Sequence, residues 1–194
     1  MKLYLTSLTC GCIDKIDFSD KKTVAFIETA ADFYDKKEFV ENDRKALQDE
    51  GLEIVDVDIK DYNQDELYEK LVNFDIVFFS GGNAHYLLEK MNECGFGKIV
   101  RKLLDKGVIY IGSSAGSVVV CPNIDFIKPM DHPEKVPNLK DFTGLNLVNF
   151  YFLPHFGREK YVEICKKILQ NNKEIVPVKD DEVIIVTDDG WKKV

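Results

Sequence analysis

Ser114 sits at the centre of Gly112-Ser-Ser114-Ala-Gly116, between the apolar runs Val108-Ile-Tyr-Ile111 and Val118-Val-Val120. A β-branched run that meets small residues and then a second apolar run reads as a buried strand, a very tight turn and a helix entering the core. Glycines are needed on both sides because such a turn brings neighbouring backbone segments close together. The hydroxyl of Ser114 then stands free above a helix N-terminus, and the N–H of Ala115 faces the space where an oxyanion would form. A serine hydroxyl becomes a useful nucleophile only when a base takes its proton. The chain offers three histidines. His85 falls inside the helix expected after Gly81-Gly82-Asn83 and is expected to face solvent or a neighbouring loop. His132 lies in a proline-rich irregular stretch. His155 follows an apolar strand, held between Pro154 and Phe156, and is the favoured base. Gly81-Gly82 ends another apolar strand and could supply a second unshielded N–H to an oxyanion.

The elements that must position these groups follow from the hydrophobic pattern. Strands are expected at Leu3–Leu5, Thr23–Ile27, Glu53–Ile59, Ile76–Phe79, Val108–Ile111 and Phe150–Leu153. The third alternates in polarity and reads as lying near a sheet edge. Amphipathic helices are expected over about 36–50, 65–73 and 161–169, with two more carrying Leu87, Leu88 and Met91, and Ile99, Val100, Leu103 and Leu104. Strands that alternate with helices and are apolar on both faces predict an α/β architecture, a mostly parallel sheet covered on both sides. Ligands bind such sheets at the carboxyl ends of their strands, where Gly81-Gly82, Ser114 and His155 fall. From Cys121 to Leu153 the pattern breaks into a long irregular excursion with four prolines, a length that usually signals function or disorder. The tail, Ile175–Val194, reads as a small β unit.

At 194 residues the chain fits one domain, 1–194, with 45% hydrophobic and 31% charged residues. The formal net charge of −8 argues against a nucleic-acid backbone or an anionic membrane as the main partner. Five cysteines at irregular spacing, with Cys10-Gly-Cys12 lacking a second pair, read as reduced thiols rather than a zinc site. No signal peptide is legible and no apolar run approaches about 18 residues, so the expected location is the cytoplasm.

Three stretches in this order and spacing resemble one family. Ser80-Gly-Gly-Asn83 followed by Tyr86-Leu-Leu, Ile111-Gly-Ser-Ser114-Ala-Gly116 leading to Cys121-Pro122, and Leu153-Pro-His155-Phe look like the motifs of the S51 serine peptidases, which include aspartyl dipeptidases. The resemblance runs over essentially the whole chain. It implies a flavodoxin-like sheet akin to the class I glutamine amidotransferases, with Ser114 as nucleophile, His155 as base, and an oxyanion hole from Gly81, Gly82 and Ala115. It also implies hydrolysis of short peptides through an acyl-serine, without cofactor or metal. For the acid that orients the histidine, the family pattern points to Asp131, with Asp125, Asp180, Glu182 or a Ser-His dyad as alternatives. Substrate contacts are expected from Asn83 and from Arg158, whose guanidinium fork would suit the carboxylate of an N-terminal aspartate.

Two other function classes stay open on sequence. A non-catalytic amidotransferase-like domain could keep the turn as a pocket for a small acidic ligand or peptide. A phosphate cradle at Gly112–Ser117 ranks last, because the P-loop lysine and the dinucleotide glycine pattern are both missing. An alternating edge strand and an apolar tail leave a homodimer open.

Overall fold

The computed structural model describes residues 1–170 and 174–194. Strands β1 (Lys2–Thr6), β2 (Thr23–Ile27), β3 (Glu53–Asp56), β4 (Ile76–Phe79) and β5 (Ile109–Ser113) run parallel in the order β3-β2-β4-β5-β1. Helices α1 (Glu38–Asp49), α2 (Gln64–Leu71), α3 (Ala84–Glu93) and α4 (Phe96–Asp105) fall between successive strands. After β5 come the single turn α5 (Ala115–Val118), the excursion, β6 (Tyr151–Leu153) and α6 (Val162–Leu169). The chain closes with β7 (Ile175–Pro177), β8 (Val183–Thr187) and β9 (Gly190–Lys193).

Alternate residues of the central strands enter two separate cores. Leu3, Leu5, Ala25, Ile27, Val77, Phe79 and Tyr110 pack with residues of α2, α3, α4 and α5 on one face. Tyr4, Val24, Phe26, Ile76, Phe78, Ile109 and Ile111 pack with Val40 and Leu47 of α1 on the other. That period of two, with both sets apolar, is why these strands read as continuous hydrophobic runs. β3 is an edge strand, as its alternation implies.

The tail departs from expectation. It is not a separate β unit. β7 pairs parallel with β6. β8 joins the main sheet antiparallel to β1, with Leu5 opposite Ile184, and β9 extends it. Apolar Val183, Ile184 and Val186 are buried there and need the sheet to cover them. The turn between β7 and β8 is thereby carried to the carboxyl end of β1, beside Ser7. The excursion after α5 holds two short 3-10 turns, at Asp125–Ile127 and Pro133–Lys135, and buries Ile124, Phe126, Ile127 and Val136.

Candidate active site

Ser114 lies between β5 and α5 with φ +46° and ψ −101°. A serine at positive φ outside the compact left-handed well is strained, and strain of this kind costs about 1–3 kcal/mol. The surroundings hold it there. A Cβ on Gly112 would stand 2.5 Å from the Gly116 carbonyl, and one on Gly116 would stand 2.3 Å from the Phe79 carbonyl oxygen. Both glycines are therefore required by close backbone approach. Ser117 locks the turn to β1. Its Oγ accepts the Thr6 N–H at 3.0 Å and donates toward the carbonyls of Thr6 and Gly112. The Ser114 N–H also donates to the Thr6 carbonyl, at 2.9 Å. Because both lack the hydroxyl, Ser114→Gly and Ser114→Ala isolate the strain. Glycine is expected to be the more stable of the two by about 1 kcal/mol, roughly 2–4 °C in Tm, read by thermal unfolding.

His155 follows β6, and it too has positive φ, +59°. Its Nε2 is 3.0 Å from Ser114 Oγ, and its Nδ1 is 3.0 Å from Asp180 Oδ1. The carboxylate on Nδ1 assigns the ring proton to that nitrogen and leaves Nε2 free to accept from the serine hydroxyl. Tyr161 stacks on the imidazole, with centroids 5.2 Å apart and planes at 21°. Ser7, at the carboxyl end of β1 and fully buried, ties the assembly together. Its hydroxyl donates to Asp180 Oδ1 at 2.6 Å, accepts the backbone N–H of His155 at 2.7 Å, and lies 3.0 Å from Nδ1. The Arg158 guanidinium donates to the other carboxylate oxygen, Oδ2. Burial works to raise the Asp180 pKa, but hydrogen bonds from His155, Ser7 and Arg158 outweigh it and hold the carboxyl well below the usual 3.8.

The expected partner of His155 was Asp131, and here the structure corrects the sequence reading. Asp131 Oδ2 instead accepts the N–H of Ala84, the first residue of α3, at 2.6 Å, and lies 3.5 Å from His85 Nδ1. Two of the acids left open, Asp125 and Glu182, pair instead with Lys128 and Lys193. Asn83 is also placed differently. It is the N-cap of α3, its side chain accepts the Tyr86 N–H, and it is 2% exposed, so it faces the helix rather than a ligand. His85 is fully buried, with Phe142 edge-on at 5.5 Å, and does not face solvent. His132 stays at the surface, bonded to Glu134. Arg158 donates its Nε–H to Asp180, a contact the sequence reading did not anticipate.

Gly81 and Gly82 lie beside Ser114. Gly82 has φ +143° and lines a cavity of about 60 Å³ with Ser114, Ala115 and His155. Gly81 lies against Ser114, since a Cβ placed on it would be 3.5 Å from the serine Cβ. Among the described residues neither the Gly82 nor the Ala115 N–H has an acceptor, so both can serve an incoming oxygen. The cysteines do not compete as nucleophiles. Burial and Asp43 push the Cys10 thiol up to about 11, and burial takes Cys121 to about 12. Ser7 and Tyr161 were missed by sequence reasoning. Ser7 could have been found by applying the strand-end rule to β1, which closes in Thr6-Ser7.

An open, mostly parallel α/β sheet carrying a hydrogen-bonded serine, histidine and carboxylate at its strand ends defines a hydrolase-type architecture. The matches to known proteins narrow that class. Residues 11–194 match the model of peptidase family S51, and the chain belongs to that family. An uncharacterized peptidase of Pasteurella multocida is 34% identical over 181 residues, 91% of this chain and 87% of that protein. One from Listeria monocytogenes is 36% identical over 168 residues, covering 85% and 82%. Peptidase E of a Nostoc species is 33% identical across 71% of this chain and 54% of its own length. A crystal structure of a peptidase E-type protein from Listeria monocytogenes superposes with a TM-score of 0.92 at 32% identity, covering 100% of this chain and 97% of that one. The fold is the flavodoxin-like α/β type, and the protein is a peptidase. No helix among the described residues is long and apolar enough to cross a membrane.

Proposed function

We propose that the protein is a serine peptidase that hydrolyses short peptides, dipeptides among them, through an acyl-serine intermediate. The observation that carries this reading is the unbroken chain from Ser114 Oγ through the His155 ring to Asp180, with both links at 3.0 Å. His155 Nε2 takes the hydroxyl proton as Ser114 attacks the peptide carbonyl. Asp180 holds the imidazole in the tautomer that permits this and stabilises the imidazolium that forms. The N–H groups of Gly82 and Ala115 receive the developing oxyanion, and Gly81 keeps the approach open. His155 then returns the proton to the leaving amine, and water, activated by the same ring, releases the acid.

The test is hydrolysis of a dipeptide panel, Asp-Leu, Ala-Leu, Glu-Leu and Leu-Leu, by the wild type and by Ser114→Ala. At least one peptide is expected to be cleaved, with kcat falling by about 10⁴-fold or more in the variant. Undiminished cleavage by Ser114→Ala would refute the serine mechanism.

A further inference from the structure

The cavity beside Ser114 holds a carboxylate that the relay does not use. Asp131 lines it together with Gly82, Ala115 and His155. Its side chain is 12% exposed, and the Ala84 N–H at the start of α3 fixes Oδ2 at 2.6 Å. Behind it lies His85, fully buried, with neither ring nitrogen hydrogen-bonded. Among the described residues no lysine or arginine lines this cavity. Arg158 holds Asp180 through its Nε–H and does not line this cavity. Tyr34, Val118, Ile127, Met130, Pro154 and Tyr161 complete the wall, whose accessible surface is mainly polar.

A fixed carboxylate in a small cavity with no opposing cation, next to a nucleophile, is complementary to a compact cation, not to an anion. In a peptide bound for attack by Ser114, the compact cation that can lie this close to the scissile carbonyl is the α-ammonium group of the residue supplying that carbonyl. A single carbon separates the two. The group is present only when that residue is the first of the peptide. We propose that Asp131 anchors the free N-terminal ammonium of the substrate, so that the enzyme removes an uncharged first residue rather than aspartate. The proposal rests on the serine-peptidase reading and adds the end of the chain and the side-chain class that the site accepts.

The test separates binding from turnover. Ser114→Ala protein is titrated calorimetrically with L-alaninamide and with N-acetyl-L-alaninamide. The free amine is expected to bind at least about 10-fold more tightly, and the difference is expected to vanish in Ser114→Ala/Asp131→Asn. Asparagine keeps an oxygen for the Ala84 N–H, so thermal unfolding of the double variant should match that of its parent. In turnover, the wild type should cleave Ala-Leu at least about 10-fold more efficiently than N-acetyl-Ala-Leu, and Asp131→Asn should collapse that ratio, mainly through KM. Equal binding of the two amides, no binding of either, or a difference that survives Asp131→Asn overturns the anchor. Preference for Asp-Leu over Ala-Leu overturns the side-chain class. If the wild type cleaves free and acetylated peptides alike and Ser114→Ala cleaves neither, the anchor falls and the serine mechanism stands. If Ser114→Ala still cleaves, the mechanism falls and the amide titrations judge the anchor alone.

Discussion

Asp180→Asn is expected to lower kcat by about 10³–10⁴-fold while leaving KM within roughly threefold. The amide can present an N–H to Nδ1, which would turn the imidazole tautomer and place a proton on Nε2, where the Ser114 proton must go. The acid's other bonds sharpen the expectation. Ser7 Oγ donates to the same Oδ1 that faces the ring, and Arg158 holds Oδ2, so the carboxylate has little freedom to substitute one oxygen for the other. Asp131→Asn provides the contrast. It should leave kcat within a few-fold, because Asp131 is bonded to Ala84 rather than to His155. Steady-state kinetics of the two variants side by side decides between the acids. Stability carries a second signature. Because the folded-state pKa of Asp180 is depressed below 3.8, its contribution is fully present above that value and is lost as pH falls through the folded one. The stability gap between wild type and Asp180→Asn should therefore be flat near neutrality and narrow below pH 3.8, as followed by denaturant titration at several pH values.

Gly82→Ala is expected to cost at least about 3 kcal/mol, roughly 6–12 °C in Tm, and to abolish activity in whatever protein still folds. Two independent effects combine. The φ of +143° is a conformation that side chains other than glycine rarely adopt, and an added Cβ would stand 2.0 Å from the Ala30 carbonyl oxygen. That carbonyl accepts the Asn83 N–H at 2.8 Å, so moving it to relieve the clash loosens the cap of α3 as well. Gly51, whose φ is +82° but whose Cβ position is open, is the control. Its alanine variant carries the backbone strain without the collision and should lose markedly less.

The sheet was legible because its strands are apolar on both faces and its helices show their stripes, signals that depend on near neighbours in the chain. Ser114 and His155 were legible for a related reason. Each sits where an apolar strand stops, and few residues of the right chemistry compete there. The acid was not, because the chain carries 34 Asp and Glu residues and only a long-range pairing selects one. Asp180 was among those left open, but nothing local in Lys179-Asp180-Asp181 distinguishes it from a solvated turn. What selects it is the antiparallel docking of β8 on β1. The same limit explains the tail, read as a unit by itself because its alternation is local while its partner strand is the first in the chain. Asn83 was read for its place in a motif when its helix-capping geometry was the stronger physical signal. His85 was expected at a surface because the excursion residue that covers it, Phe142, is 57 positions away in a stretch without periodicity.

Ser7 and Asp180 meet at 2.6 Å across a separation of 173 residues, and the serine–histidine pair spans 41. Asp180 is therefore added 25 residues after His155 and 66 after Ser114. A nascent chain lacking the segment after β7 has the hydroxyl and the imidazole but no carboxylate on Nδ1, and β1 lacks the antiparallel neighbour that brings the carboxylate there. On the serine-peptidase reading the relay is complete only once β8 has docked on β1.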